Sequence, residues 1–196
     1  MKTAEPAALV SGHVPRFFVN QKLTAMVNRY EIRAANPYGQ PGELLAFAQQ
    51  KRMKLKEEVI FYRDDTKTEA LFSFRSRQAM DLHAQTDVLD VHGNVVGWFE
   101  KDFKASLLRS TWHLHYADVE ARGQERNNTV AIVRRFVNLP LRFHFDFRDV
   151  ATGQTVMTVE RRRSLRDRYE VSVPDPRLDV RLAAAMSVGL DAFQGR

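Results

Sequence analysis

The chain has 196 residues, 44% of them hydrophobic, which is enough to bury a substantial core without covalent help. It contains no cysteine, so disulfides, thiolate metal sites and cysteine nucleophiles are excluded. Thirty basic against 24 acidic residues give a formal charge of +6, which favours anionic partners and does not bear on fold.

In chain order, the opening residues offer Met1, one lysine and then Glu5 and Pro6, and the apolar run at 7–10 is too short for a secretory core. Residues 1–15 read as a flexible arm, and 16–196 as a single β-domain. A strand is expected at 16–21, then others at 30–34, 42–51 and 58–63. The second stretch of strands is expected at 69–76, 86–91, 93–102 and 111–118. Alternation carries these assignments: Phe72 and Phe74 flank Ser73, and Trp112, Leu114 and Tyr116 share one face. Residues 120–128 are polar, include Gly123 and Asn127-Asn128, and read as a mobile loop. The next strand is placed at 129–137, although Val130, Val133 and Val137 also fit a helix. Strands at 143–150, 153–162 and 169–173 complete the set, with Phe143, Phe145 and Phe147 on one face.

Three segments align. Gly42, Gly93 and Gly153, spaced by 51 and 60 residues, each open an apolar run that ends in polar and charged residues. Each is flanked by strand-like stretches, which predicts one four-stranded unit used three times and about twelve strands in all.

Pro174-Asp175-Pro176 ends the last strand and places a helix at about 176–193, with Asp175 as N-cap and Pro176 in the first turn. Positions 182–190 carry no charge and are apolar on every side. Such a helix is enclosed by protein or lies in a membrane, and this one is too short to span. A closed sheet of about twelve strands has an interior wider than side chains alone fill, so the helix is expected inside the barrel.

The chain carries Gln21-Lys22-Leu23, Tyr30-Glu31-Ile32 before the Gly39 to Gly42 turn, and Asp90 with Gly93-Asn94-Val95-Val96-Gly97. In these features it resembles the tubby C-terminal-like superfamily, and most closely the LURP-one-related proteins in their bacterial forms. The segment 178–186 looks like the buried helix of phospholipid scramblases. The resemblance covers about residues 16–194 and implies a twelve-stranded barrel around a central C-terminal helix. It also implies a non-enzymatic, lipid-related role. The scramblase proline-rich and cysteine-rich segments are absent from this sequence. Asp167 and Glu170 are too few acids, among Arg166 and Arg168, for a scramblase-like calcium site.

No catalytic motif, cofactor motif or metal motif is present, so the chain reads as a binding protein without cofactor. His113 and His115 share a strand face and would need a third partner to hold a metal; they read as exposed strand histidines. The candidate binding residues are basic: Arg161, Arg162, Arg163, Arg166 and Arg168; Lys51, Arg52, Lys54 and Lys56; and Arg134 with Arg135. The first two groups follow the apolar strand of their repeat, where Lys101 and Lys104 stand in the middle unit. Arginine and lysine at such a place suit lipid phosphates. Anionic phospholipid at a membrane surface is therefore the expected partner. A protein partner without lipid is the alternative. Nucleic acid is disfavoured, because the aromatics are committed to the core. The expected location is cytoplasmic, peripheral to the inner face of the membrane.

Overall fold

A computed structural model of the chain describes residues 11–23, 27–51, 58–77, 85–102, 110–126, 144–162 and 168–194. Its strands are β1 (Arg16–Leu23), β2 (Val27–Ala35), β3 (Pro41–Lys51), β4 (Glu58–Tyr62), β5 (Ala70–Ser76) and β6 (Thr86–Asp90). They continue as β7 (Val95–Asp102), β8 (Thr111–Tyr116), β9 (Val119–Glu125), β10 (His144–Asp149), β11 (Thr155–Arg162) and β12 (Arg168–Ser172). Each strand pairs antiparallel with its neighbours in sequence, and β12 returns to β1 through Phe17 opposite Val171 and Val19 opposite Tyr169. The barrel is closed, so among the described strands none is an edge strand.

The single helix among the described residues, α1 (Val180–Gln194), runs through the middle. At 1.5 Å per residue it is about 22 Å long. Leu182 to Leu190 are buried without exception, and the ring side chains around them include Phe17, Phe61, Phe74, Phe99, Trp112, Phe145 and Phe147. Small residues let the wall approach the helix. A Cβ on Gly189 would stand 3.0 Å from the Phe99 ring, and one on the wall residue Gly97 would stand 2.5 Å from Leu182.

The helix starts later than the proline pattern suggests. Asp175 caps a separate turn, accepting from the Arg177 amide at 2.9 Å, while Asp179 caps α1 by accepting from the Arg181 amide at 2.8 Å. Residues 12–15 lie along this entry: the Val180 amide donates to the Gly12 carbonyl at 2.8 Å and the Val173 amide to the Pro15 carbonyl at 2.8 Å.

The three-fold unit is visible in hydrogen bonds. Asn36, Asp90 and Asp149 each open the hairpin between the second and third strand of a unit. Each side-chain oxygen accepts two following backbone amides, at 2.8 to 3.2 Å. Gly39, Gly93 and Gly153 then adopt φ of 71°, 83° and 71°, the left-handed conformation that glycine reaches without strain. The equivalent glycine of the first unit is therefore Gly39, and Gly42, which aligned with the others by sequence, lies beyond the turn.

One strand differs from expectation. The third unit opens with β9 at Val119–Glu125, where a polar loop was expected; the alternative strand at 129–137 lies outside the described residues. Strand β9 buries Val119, Ala121 and Gly123 on its inner face and shows Glu120 and Arg122 to solvent. Its inner face is small because the Phe147 ring on β10 fills the space a Cβ on Gly123 would need.

Candidate functional site

In an antiparallel barrel successive connections leave alternate ends. Connections after β2, β4, β6, β8 and β10 leave the end where α1 begins, and they are short. Connections after β1, β3, β5, β7, β9 and β11 leave the opposite end, where α1 finishes. This exit rim is where β3 ends at Lys51, β7 ends at Lys101-Asp102 and β11 ends at Arg161-Arg162, with Arg168 opening β12.

Of the basic residues singled out from sequence, the structure describes three side chains. Arg161 is half-buried. Arg162 is exposed and donates from Nε to Glu170 Oε2 at 2.7 Å, with a second contact from Nη2 at 2.7 Å. Arg168 stands opposite Arg162 in register and donates to Asn20 Oδ1 at 3.1 Å. Arg16 reaches the same Glu170 carboxylate, so two guanidinium groups share one acid. For Lys51 only the backbone at the end of β3 is described. Arg52, Lys54, Lys56, Arg134, Arg135, Arg163 and Arg166 lie outside the described residues. The rim also carries compensated pairs, Arg77 with Asp87 at 2.7 Å and Arg126 with Asp146 at 2.6 Å.

Inside the same rim the barrel holds a polar group that sequence reasoning missed. Asp191, in the last turn of α1, accepts from Gln21 Nε2 at 2.5 Å, from the Tyr30 hydroxyl at 2.8 Å and from the Tyr169 hydroxyl. These three donors come from β1, β2 and β12, the strands on either side of the closing seam. Burial, and then the Asp191 charge, push the Tyr30 hydroxyl far above its usual range, so it remains a donor. The sequence signal was a lone acid closing the uncharged run 182–190.

At the opposite rim, Asp175 accepts from the Tyr116 hydroxyl at 2.9 Å and from Arg177 Nη2 at 2.9 Å. Hydrogen bonds from Arg177 hold the Asp175 carboxyl below the usual carboxylate range. Arg177 also approaches Asp118 at 3.6 Å and Asp149 at 3.9 Å. Both polar groups tie the ends of the helix to the wall, and each acid has donors for its oxygens.

A third constellation lies on the outer wall. Trp112, Leu114 and Tyr116 fill the inside of β8, as alternation implied, which turns His113 and His115 outward. Cross-strand register then sets Glu120 directly opposite His115. His113 Nδ1 stands 3.4 Å from Glu120 Oε1, and His113 Nε2 stands 3.6 Å from Asp102 Oδ2 on β7. The His115 ring stacks on Trp98, with centroids 3.6 Å apart and planes 12° from parallel. Burial under that ring lowers the His115 pKa, which favours the neutral imidazole.

No helix among the described residues is long and apolar enough to cross a membrane. No curated protein and no solved structure gives a significant match to the chain. A model of the LURP-one-related family matches residues 45–191, from β3 into the last turn of the central helix. The match covers most of the barrel and the helix it encloses, and the chain therefore belongs to the LURP-one-related family of the tubby C-terminal-like superfamily.

Proposed function

We propose that the protein is a non-enzymatic binding protein that associates with anionic phospholipid at a membrane surface through the basic residues of the exit rim. The supporting observation is topological. The segments that hold Lys51, Arg52, Lys54 and Lys56, then Arg134 and Arg135, then Arg161 to Arg168, all join strand ends at that one rim. The described ends of β3, β9 and β11, which these segments follow, share one end of the barrel. Arg162, on the last residue of β11, and Arg168, opposite it on β12, stand at that rim with their guanidinium groups on Glu170 and Asn20. Membership of a family generally without enzymatic activity, related to lipid-associated proteins, agrees with this reading.

Each basic residue near an anionic bilayer contributes about 1 kcal/mol. The triple variant Arg161→Ala/Arg162→Ala/Arg163→Ala should thus lose up to ~3 kcal/mol, on the order of a hundredfold in affinity. Co-sedimentation with phosphatidylserine-containing vesicles tests this, with phosphatidylcholine vesicles as the neutral control. Binding should need the anionic lipid and weaken as salt shortens the screening length. Equal binding to both vesicles, or none, refutes the proposal; capture of a stoichiometric protein partner with no lipid dependence would favour a scaffold instead.

A further inference from the structure

The outer wall of β7, β8 and β9 carries donors that the exit rim does not use. His113 and His115 offer one ring nitrogen each and Glu120 one carboxylate oxygen, and the three ligand atoms lie within 4.8 Å of one another. Two imidazoles and a carboxylate are the donor set of an open zinc site, in which a fourth position stays with water or an incoming ligand. With bonds of about 2.0 to 2.1 Å, neighbouring ligand atoms around a tetrahedral zinc stand about 3.3 Å apart. His113 Nδ1 and Glu120 Oε1, at 3.4 Å, already have that separation. His115 completes the set by a modest turn of side chains that are only half-buried, toward an exposed Glu120.

We propose that His113, His115 and Glu120 form a binding site for a divalent transition-metal ion of the zinc class, with Asp102 orienting His113 from behind.

Three features separate this arrangement from an ordinary surface cluster. Coordination through Nδ1 leaves His113 Nε2–H facing Asp102, 3.6 Å away, and a carboxylate behind a ligating histidine fixes its tautomer and orientation. The Trp98 ring lies flat against His115 and limits its rotation, so less freedom is lost when metal binds. The ligands also flank the two-residue turn at 117–118, where Ala117 holds a φ of 46°, a left-handed conformation that is uncommon for a residue with a Cβ. That turn fixes Glu120 opposite His115. Glu100, opposite His113 on β7, adds negative charge, while Arg122, opposite His113 on β9, is the cation the ion would have to tolerate. These ligands lie on the outer wall toward the β8–β9 turn, at the end of the barrel away from the exit rim, so the proposal stands independently of phospholipid binding.

The test is titration of the tag-free full chain with zinc chloride by calorimetry, alongside cobalt(II) followed by its visible absorption. One equivalent should bind, and cobalt should show the intense bands of a four-coordinate ion. Glu120→Gln, at an exposed position, should weaken binding while the fold is retained by circular dichroism. The double variant His113→Ala/His115→Ala should abolish it. Asp102→Asn should reduce affinity by about 10–100-fold, the usual effect of removing a carboxylate behind a ligand. His92→Ala, in the β6–β7 turn, should change nothing. Absence of saturable zinc binding, or binding that survives both Glu120→Gln and the double histidine variant, overturns the proposal.

Discussion

Gly97 is the position where the barrel wall and the enclosed helix come closest to exclusion, and Gly97→Ala is the sharpest test of that packing. The new methyl would stand 2.5 Å from Leu182 Cδ2 and 2.6 Å from the His115 carbonyl oxygen. Leu182 is fully buried in the helix and cannot swing into solvent, and the carbonyl belongs to the ladder between β7 and β8. Overpacking of this kind costs about 1–3 kcal/mol. For a chain of this length 1 kcal/mol lowers Tm by about 2–4 °C, so a fall of roughly 2–12 °C is expected. Leu182→Ala alone should cost about 2–5 kcal/mol, because it leaves a cavity. Combined, the two changes should cost less than their sum, with a coupling of about 0.5–3 kcal/mol, since removal of the leucine relieves one of the two collisions. Urea unfolding followed by circular dichroism measures all four corners of the cycle. A neutral Gly97→Ala, or strict additivity with Leu182→Ala, would refute the claim that the helix is tightly sheathed at this point.

Asp191→Ala should destabilise the protein by about 1–3 kcal/mol, because it takes their shared acceptor from the buried donors Gln21, Tyr30 and Tyr169; Tyr30→Phe, which removes the hydroxyl's bond to Asp191, should cost about 1 kcal/mol by the same denaturation assay. Ala117→Gly should raise Tm by about 2–4 °C, since it relieves about 1 kcal/mol of left-handed strain at φ 46° in the β8–β9 turn. Acid should destabilise through carboxyls whose folded pKa lies below the ordinary value. Hydrogen bonds from Arg177 depress Asp175, whose ordinary value is 3.8; burial works against Glu31, ordinarily 4.5, yet Lys22 and Arg33 lower it. The unfolded chain then takes up the additional protons, so this stability is complete above the ordinary carboxyl pKa and is lost as pH falls below about 4. Urea midpoints should drop steeply beneath that pH, below the shallower fall that the depressed His115 gives under its ordinary value of 6.5, and Arg177→Ala should shrink the steep drop; a midpoint that rises on acidification would contradict the assignment.

The local patterns in the chain carried much of this architecture. An alternating strand such as β8, with Trp112, Leu114 and Tyr116, announces its buried face through period two alone. The uncharged run from Leu182 to Leu190 announces enclosure, because a helix apolar on every side has no face to offer water. Such signals need only neighbours along the chain. Strand β9 escaped them: its inward positions Val119, Ala121 and Gly123 are followed by a buried Glu125, and Phe147 from the next strand occupies the space at Gly123, so small or charged residues alternating with polar ones read as loop. The capping residue is misplaced for a similar reason. Asp175 precedes the first proline-marked turn and reads as the cap, but Tyr116 and Arg177 engage it in a turn of its own and Asp179 caps the helix. The basic segments were legible as clusters, but that the strands preceding them, β3, β9 and β11, end at one rim is a property of strand order. His113 and His115 were legible as a pair on one face. Their partner Glu120 is set by register across a hairpin, and Asp102 by the strand on the other side. Composition and periodicity therefore determined which residues face inward and which outward; which of the outward residues meet was decided by the pairing of strands around a closed barrel, because a hydrogen-bonded register brings together side chains whose separation in sequence carries no trace of contact.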